Sequence, residues 1–403
     1  MRVLVVGGTG FLGSRVVARL SNLGHELAVY HRGVTEPALP FGVRHVHSPQ
    51  AAAPVIAFPE ELTGIAWDVV LATSPVGARD TGALMSAFRG VARRVVALSS
   101  GDVYRAYETL RAADARPPEP MPLTEDAPLR ESFLPYRDTP GLPPHLLEYE
   151  KIFVERAVMS DPALPGTVLR LPAVYGPGDM HRLRPFWRRM ARGLPAIVLG
   201  RAQAEFRWTH GYVDDAAEAV VLAVARERAK GRIYNVGEAE APTTQERVEA
   251  FGKAIGWKGR VVALDDASLP VHLLHPAGPF RQDLVYDTAR IRRELDWKEV
   301  TPPEEAYRRT AAWEESAEVA GETVPSEDEY DREVEAAGPA AAEPSADERP
   351  LPFPDSLCHA CAAPPKYVRT ARSVFIFCPL FRRYPPQPVA ECPKFVPREP
   401  AEV

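Results

Sequence analysis

No cysteine occurs in the first 357 residues of this 403-residue chain. Disulfides therefore cannot staple that part, and its stability has to come from a buried core, for which its length suffices. No apolar run approaches the roughly 18 residues that a membrane-spanning helix needs. The first strand-like run begins at Arg2, which leaves no room for a signal peptide, so a cytoplasmic protein is expected. Basic charge is not in excess: 48 Lys and Arg stand against 54 Asp and Glu, a net −6, so no global field attracts nucleic acid. Proline is plentiful, at 42 residues. It concentrates in 117–144, 339–365 and 379–400, where it marks loops and linkers.

The most informative stretch is Gly7-Gly8-Thr9-Gly10-Phe11-Leu12-Gly13, between the apolar run Val3–Val6 and the amphipathic Ser14–Leu20. Strand, glycine turn and helix in that order form a dinucleotide-binding βα unit. Gly7 allows the tight turn, Gly10 leaves room for a pyrophosphate, and Gly13 lets the helix approach the sheet. Thr9, Phe11 and Leu12 lie on the same turn, and the helix N-terminus faces the phosphates. The alternative is a glycine-rich βα turn with no ligand. Arg32 stands 19 residues after Gly13, where NAD sites carry an acidic residue for the ribose 2′-hydroxyl. Tyr30-His31-Arg32 offers none, and a guanidinium suits the 2′-phosphate of NADP. NADP is therefore favoured over NAD, the alternative being a solvated Arg32.

Short apolar runs at Glu26–His31, Val43–Val46, Trp67–Ala72, Arg94–Ser100, Thr167–Leu171 and Ile233–Gly237 alternate with helical stretches, among them Ala83–Gly90 and Leu146–Met159. This predicts an α/β protein: a Rossmann-like doubly wound parallel sheet with helices on both faces. Between 316 and 350, eleven acidic and two basic residues leave that stretch at −9 with almost no large apolar side chain, which predicts a solvated, extended linker. The rest of the chain then sums to about +3, too little for a nucleic-acid-binding groove.

All four cysteines, Cys358, Cys361, Cys378 and Cys392, fall in residues 351–403. A C-x-x-C followed by two single cysteines can close a tetrahedral Zn²⁺ site, and a segment this short needs such a staple. An iron–sulfur centre and free or disulfide-forming thiols are the alternatives. Lys366, Arg369, Arg372, Arg382 and Arg383 interleave with Tyr367, Phe375, Phe381 and Tyr384. That pattern reads as a solvated surface, with contact to nucleic acid or to an acidic partner as the alternative.

Together, GGTGFLG at 7–13, LSSGDVY at 98–104, PLTEDAPLR at 122–130, LRLPAVYGPGD at 169–179, YVDDAAEAV at 212–220, YNVG at 234–237 and DTARIRRELDW at 287–297 resemble an extended short-chain dehydrogenase/reductase of the NAD-dependent epimerase/dehydratase family. The likeness covers about residues 1–315. It implies a cofactor-binding domain with a smaller substrate subdomain drawn mainly from 172–212 and 237–285, and a small Cys-rich tail module beyond it. It implies a homodimer through the helices after strands four and five. It further implies that Ser100 orients the substrate, that Lys151 holds the nicotinamide ribose, that Ser74, Pro172 and Val174 border the cofactor, and that Tyr175, Arg207 and His210 meet the substrate.

The family's tyrosine should stand four residues before Lys151, where this chain has Leu147. Tyr149 stands two residues before it; on a continuous helix the two would face apart, about 200° around the axis. The resemblance therefore implies an NAD(P)-dependent epimerase, dehydratase or reductase acting on a nucleotide sugar or a related carbonyl or alcohol, with a non-standard proton donor. The alternatives are a non-catalytic dinucleotide sensor with a zinc-stabilised interaction tail and an RNA-binding relative.

Overall fold

The computed structural model describes residues 1–35, 37–49, 54–111, 117–179, 181–274, 280–317, 324–339, 353, 355–363, 365–369 and 374–397. Met1–Gly338 and Pro339–Val403 form two units. The first is built on a seven-stranded sheet. Its strands are β1 (Arg2–Val6), β2 (Glu26–His31), β3 (Arg44–His47), β4 (Val69–Ala72), β5 (Val95–Ser100), β6 (Gly166–Leu171) and the strand Arg232–Asn235. In space the order is Arg232–Asn235, β6, β5, β4, β1, β2, β3, and every pairing is parallel. The expected Rossmann-like α/β fold is therefore present. Val3, Leu4 and Val5 are wholly buried, because a parallel strand is covered on both faces; each such side chain contributes about 1.5–3 kcal/mol.

Helix α1 (Gly13–Asn22) turns Val16, Val17 and Leu20 onto the sheet. The chain order reverses beside β1, between the units that continue to β2 and to β4, and ligands of doubly wound sheets bind outside the strand ends at such a switch point. A second layer carries the paired strands Ala196–Gly200 and Arg260–Leu264 and the helices Arg184–Ala191 and Thr244–Ile255, in the sequence range expected for the substrate subdomain. No described helix is long and apolar enough to cross a membrane.

Two expectations change. The run Leu146–Met159 is not one helix: a short turn at Pro144–Leu147 ends, and a new helix starts at Lys151. The acidic stretch 316–350 is not extended throughout, although much of it lies outside the described residues. Glu327–Ala337 is a helix, opened by a Ser326–Glu329 capping box. It buries Tyr330 and Glu333, and the Glu333 carboxylate accepts two hydrogen bonds from Arg189, at 2.6 and 2.7 Å.

The second unit contains an antiparallel pair, Lys366–Arg369 with Val374–Phe377. The second of these strands leads into Cys378. Arg372 of the basic-aromatic pattern lies outside the described residues.

Candidate active site

The glycine turn is built as its spacing requires. Gly7 and Gly8 have φ of +95° and +85°, a region open to glycine but costly for other residues. Thr73, at the end of β4, locks the turn: its hydroxyl accepts from the Gly8 N–H (3.1 Å) and donates to the Val6 carbonyl (3.0 Å). A Cβ on Gly13 would lie 2.6 Å from the Gly8 Cα, so only glycine lets α1 start this close to β1. A Cβ on Gly10 would meet nothing within 4 Å; its open side faces the cleft. Leu12, before the first helical residue, supplies no side-chain cap.

The resulting cleft, of 460 Å³, is lined by Gly7, Thr9, Gly10, Phe11, Leu12, Gly13, Arg32, Ser74 and Val174. Pro172 is not among its lining residues. It packs instead against Gly211, where a Cβ would lie 3.1 Å from its ring, and beside Gly237. A turn stripped of side chains, at a helix N-terminus, fits a dinucleotide pyrophosphate. Arg32 is exposed at the cleft wall.

Ser100, Tyr149 and Lys151 come together because the helix is broken. Glu150 adopts an extended conformation (φ −155°, ψ 97°) and its carboxylate caps the Ile152 N–H. Its own N–H donates to the Val76 carbonyl at 2.9 Å, and its buried carboxylate pairs with buried Arg130 at 2.9 Å. Tyr149 therefore precedes the helix and is not subject to helical spacing. Its hydroxyl is close enough to the Asp102 carboxylate and the Ser100 hydroxyl for both to act on its acidity, Asp102 raising its pKa and Ser100 lowering it. Its ring lies 5.5 Å from the Lys151 ammonium and 5.3 Å from the Tyr136 ring. The expectation that Tyr149 and Lys151 face apart is corrected; the Glu150 break is the reason. Leu147 sits half-buried on the preceding turn.

Burial, then the Asp102 charge and Tyr136, push the Tyr149 hydroxyl well above its usual range. Lys151 is lowered to about 8 by burial, against the opposing pull of Asp102, Asp80 and Glu155. Its ammonium donates to the Pro75 and Leu98 carbonyls at 2.6 and 3.1 Å, and both of those residues line the cleft. Asp80 fixes the same wall from behind, accepting from the Val76 and Gly77 N–H groups at 2.7 and 2.9 Å. Asp102, Asp80 and Thr73 escaped the sequence reading, since single short polar residues after strands carry no spacing signal. Beneath the site a buried network links Ser99 to Glu155 (2.6 Å), Glu155 to Arg170 (2.7 Å), and Tyr104 to Arg170 and Asn235.

A second cavity, of 500 Å³, lies in the substrate subdomain. Arg182 stacks on Trp208 at its wall, 4.8 Å from the ring centroid, and His210, Arg189 and His272 also line it. His210 is held well below its ordinary pKa by burial and by nearby Arg247, so its ring is neutral. Of the three residues expected at the substrate, only His210 lines this cavity. Tyr175 is buried and stacks on Tyr307 at 5.7 Å between centroids. Arg207 is exposed and donates to the Ala241 carbonyl.

In the second unit Cys358, Cys361, Cys378 and Cys392 are all unbridged and line one small cavity of 20 Å³ with Leu357 and Phe395. That is room for about one water-sized sphere. Among the described residues, however, the one group with three potential ligand atoms within 4.8 Å of one another is His31, His45 and His47.

The sequence profile of the NAD dependent epimerase/dehydratase family matches residues 147–237. The chain is 28% identical over 270 residues to the 2′-dehydrokanamycin reductase of Streptomyces kanamyceticus, covering 64% of this chain and 67% of that protein. Among solved structures it is similar to MoeE5 in complex with UDP-glucuronic acid and NAD, at 20% identity and a TM-score of 0.55 over 78% of this chain and 99% of that one. It is also similar to the UDP-glucose 4-epimerase of Thermus thermophilus in complex with NAD, at 23% identity and a TM-score of 0.55 over 79% and 100%. Residues 147–237, which include Tyr149, Lys151 and the strand β6, thus match the sequence profile of the NAD dependent epimerase/dehydratase family, within a chain that shares the Rossmann-like fold of these solved structures.

Proposed function

We propose that this protein is an NAD(P)-dependent reductase or epimerase acting on a nucleotide sugar or a related carbonyl or alcohol, with Tyr149 as its proton donor in place of the tyrosine absent at Leu147. The observation that carries this reading is the convergence of the Tyr149 hydroxyl on Ser100, with Lys151 beside the ring. The similarity to a 2′-dehydrokanamycin reductase supports carbonyl reduction among the family's reactions.

The glycine turn and α1 would hold the pyrophosphate, Arg32 the 2′-phosphate of NADP, and the dinucleotide would supply hydride at the substrate carbon. The chain's own task is the proton. The Tyr149 hydroxyl now faces Ser100 and Asp102, and the Ser100 hydroxyl accepts the Asp102 N–H at 3.2 Å. A substrate oxygen entering between Ser100 and Tyr149 would meet both hydroxyls, Ser100 orienting it and Tyr149 Oη donating. Because burial and Asp102 keep Tyr149 protonated at neutral pH, it suits donation to an oxygen that gains negative charge, as in reduction, better than abstraction. Lys151 braces the Pro75–Leu98 wall and offers positive charge beside the tyrosine ring.

In the tail, Cys358, Cys361, Cys378 and Cys392 share one small cavity and would supply the four thiolates of a structural zinc site, although no three of their sulfurs lie within 4.8 Å of one another. A non-catalytic sensor is the rival reading. Assay of nicotinamide absorbance against a panel of keto sugars distinguishes them: Tyr149→Phe should lose about 10²–10⁴-fold in rate with cofactor affinity retained. Equal turnover by both forms would remove Tyr149 from the chemistry.

A further inference from the structure

We propose that His31, His45 and His47 form a binding site for a borderline divalent transition metal, zinc foremost, at the β2–β3 edge beside the cofactor cleft. The juxtaposition follows from the sheet. In a strand, residues two apart share a face, so His45 and His47 point the same way. In the parallel register of β2 and β3, His31 pairs with His47 and Val29 with His45, and paired residues share a face as well. The result is three imidazoles on one face of two adjacent strands. Their ligating nitrogens lie within 4.8 Å of one another, and His31 Nε2 is 3.1 Å from His45 Nδ1. The His31 ring meets His45 and His47 at centroid distances of 5.2 and 4.7 Å, both edge to face.

Zinc–imidazole bonds of about 2.0–2.1 Å in a tetrahedron hold their nitrogens about 3.4 Å apart. His31 is buried and so supplies a fixed ligand, while His45 and His47 are exposed and can rotate through the remaining distance. Without metal, His31 Nδ1 accepts the Gly33 N–H at 3.2 Å, which leaves the ring proton on Nε2, toward His45. On binding through Nε2, that proton moves to Nδ1 and the Gly33 N–H turns to water. Gly33 is an exposed turn glycine with φ +71°, so the turn adapts at little cost. Three neutral nitrogen ligands suit Zn²⁺, Ni²⁺ and Cu²⁺ over Mg²⁺ and Ca²⁺, and the fourth position remains for water. The site is independent of the cysteine tail and of the catalytic reading.

The test is titration of the metal-stripped full chain with Co²⁺ and with Zn²⁺, comparing the natural sequence with H45A/H47A and with a chain whose four cysteines are serine. Cobalt absorbance reports the ligands: thiolate sites give an intense charge-transfer band, and imidazole sites do not. The expected result is that H45A/H47A binds one equivalent fewer than the natural chain with any thiolate band unchanged, and that the serine chain retains one equivalent without that band. Unchanged stoichiometry and affinity in H45A/H47A, or no metal bound by the serine chain, would overturn the proposal. The single variant H47Q, with its melting temperature measured in chelator, separates loss of a ligand from loss of fold.

Discussion

Tyr149 concentrates the chemistry of this molecule on one hydroxyl, and its environment fixes which proton step it favours. Burial, the Asp102 carboxylate and Tyr136 hold it protonated far above neutral pH, whereas Lys151 next to it loses its proton near pH 8. A rate limb near pH 8 is therefore expected from Lys151. Burial depresses its pKa in the folded chain. The neutral form is the one folding favours; stability contributed by this group is present above the unfolded value of 10.5 and is lost as pH falls through about 8. In Lys151→Met the limb near pH 8 should vanish from the pH–rate profile; a limb that persists unchanged would assign it elsewhere. Placing a tyrosine where the family has one, Leu147→Tyr, should not rescue Tyr149→Phe, because residue 147 ends a separate turn. At the cofactor, Arg32→Ala should weaken NADPH binding while leaving NADH nearly unchanged, as read by fluorescence titration; tighter NADH than NADPH binding in the natural chain would refute the Arg32 assignment.

At the scale of elements, the break before Lys151 is what makes the site, and Glu150 makes the break. Its carboxylate is wholly buried, pairs with Arg130 and also accepts from the Leu134 N–H at 2.7 Å. Glu150→Ala would leave the buried Arg130 without that partner. Such losses cost about 3–5 kcal/mol, and the expected outcome in denaturant melts is a drop of that order, with activity lost even where the chain stays folded. A drop below about 1 kcal/mol would mean that the loop is held by other contacts.

This break also marks the limit of what the sequence discloses. The glycine turn, the parallel strands and the placement of Ser100 and Lys151 follow from periodicity and motif, because each depends on neighbours along the chain. Leu146–Met159 reads as one helix because its apolar spacing is helical across the break. The interruption depends on Arg130, twenty residues upstream, and on the Val76 carbonyl, in another βα connection. No local pattern encodes such partners. Tyr175, read as a substrate contact from its motif, turns inward because Tyr307 and Phe251 offer it an aromatic core.

For the whole molecule, composition misleads most after residue 316, where charge and small residues suggest a stretch without structure. The helix Glu327–Ala337 instead inserts Glu333 between Arg189 and His272, two residues that line the cavity of the substrate subdomain. Hydrogen exchange should show amides in 327–337 protected well beyond those of a solvated peptide, and Glu333→Gln should reduce that protection. Exchange as fast as in an unstructured chain would contradict the packing. Metal analysis of the full chain should show the loss of one zinc when Cys358 and Cys361 are replaced by serine; an unchanged zinc content would exclude the tail site.

A crystal structure with NADPH and a bound keto sugar or its alcohol would show whether a tyrosine displaced by two residues and released from its helix serves as proton donor. The Tyr149 hydroxyl and the Ser100 hydroxyl should both lie within about 2.6–3.2 Å of the substrate oxygen beside the nicotinamide. A substrate oxygen contacted by some other acid, with Tyr149 still beside Asp102 and out of its reach, would contradict that role.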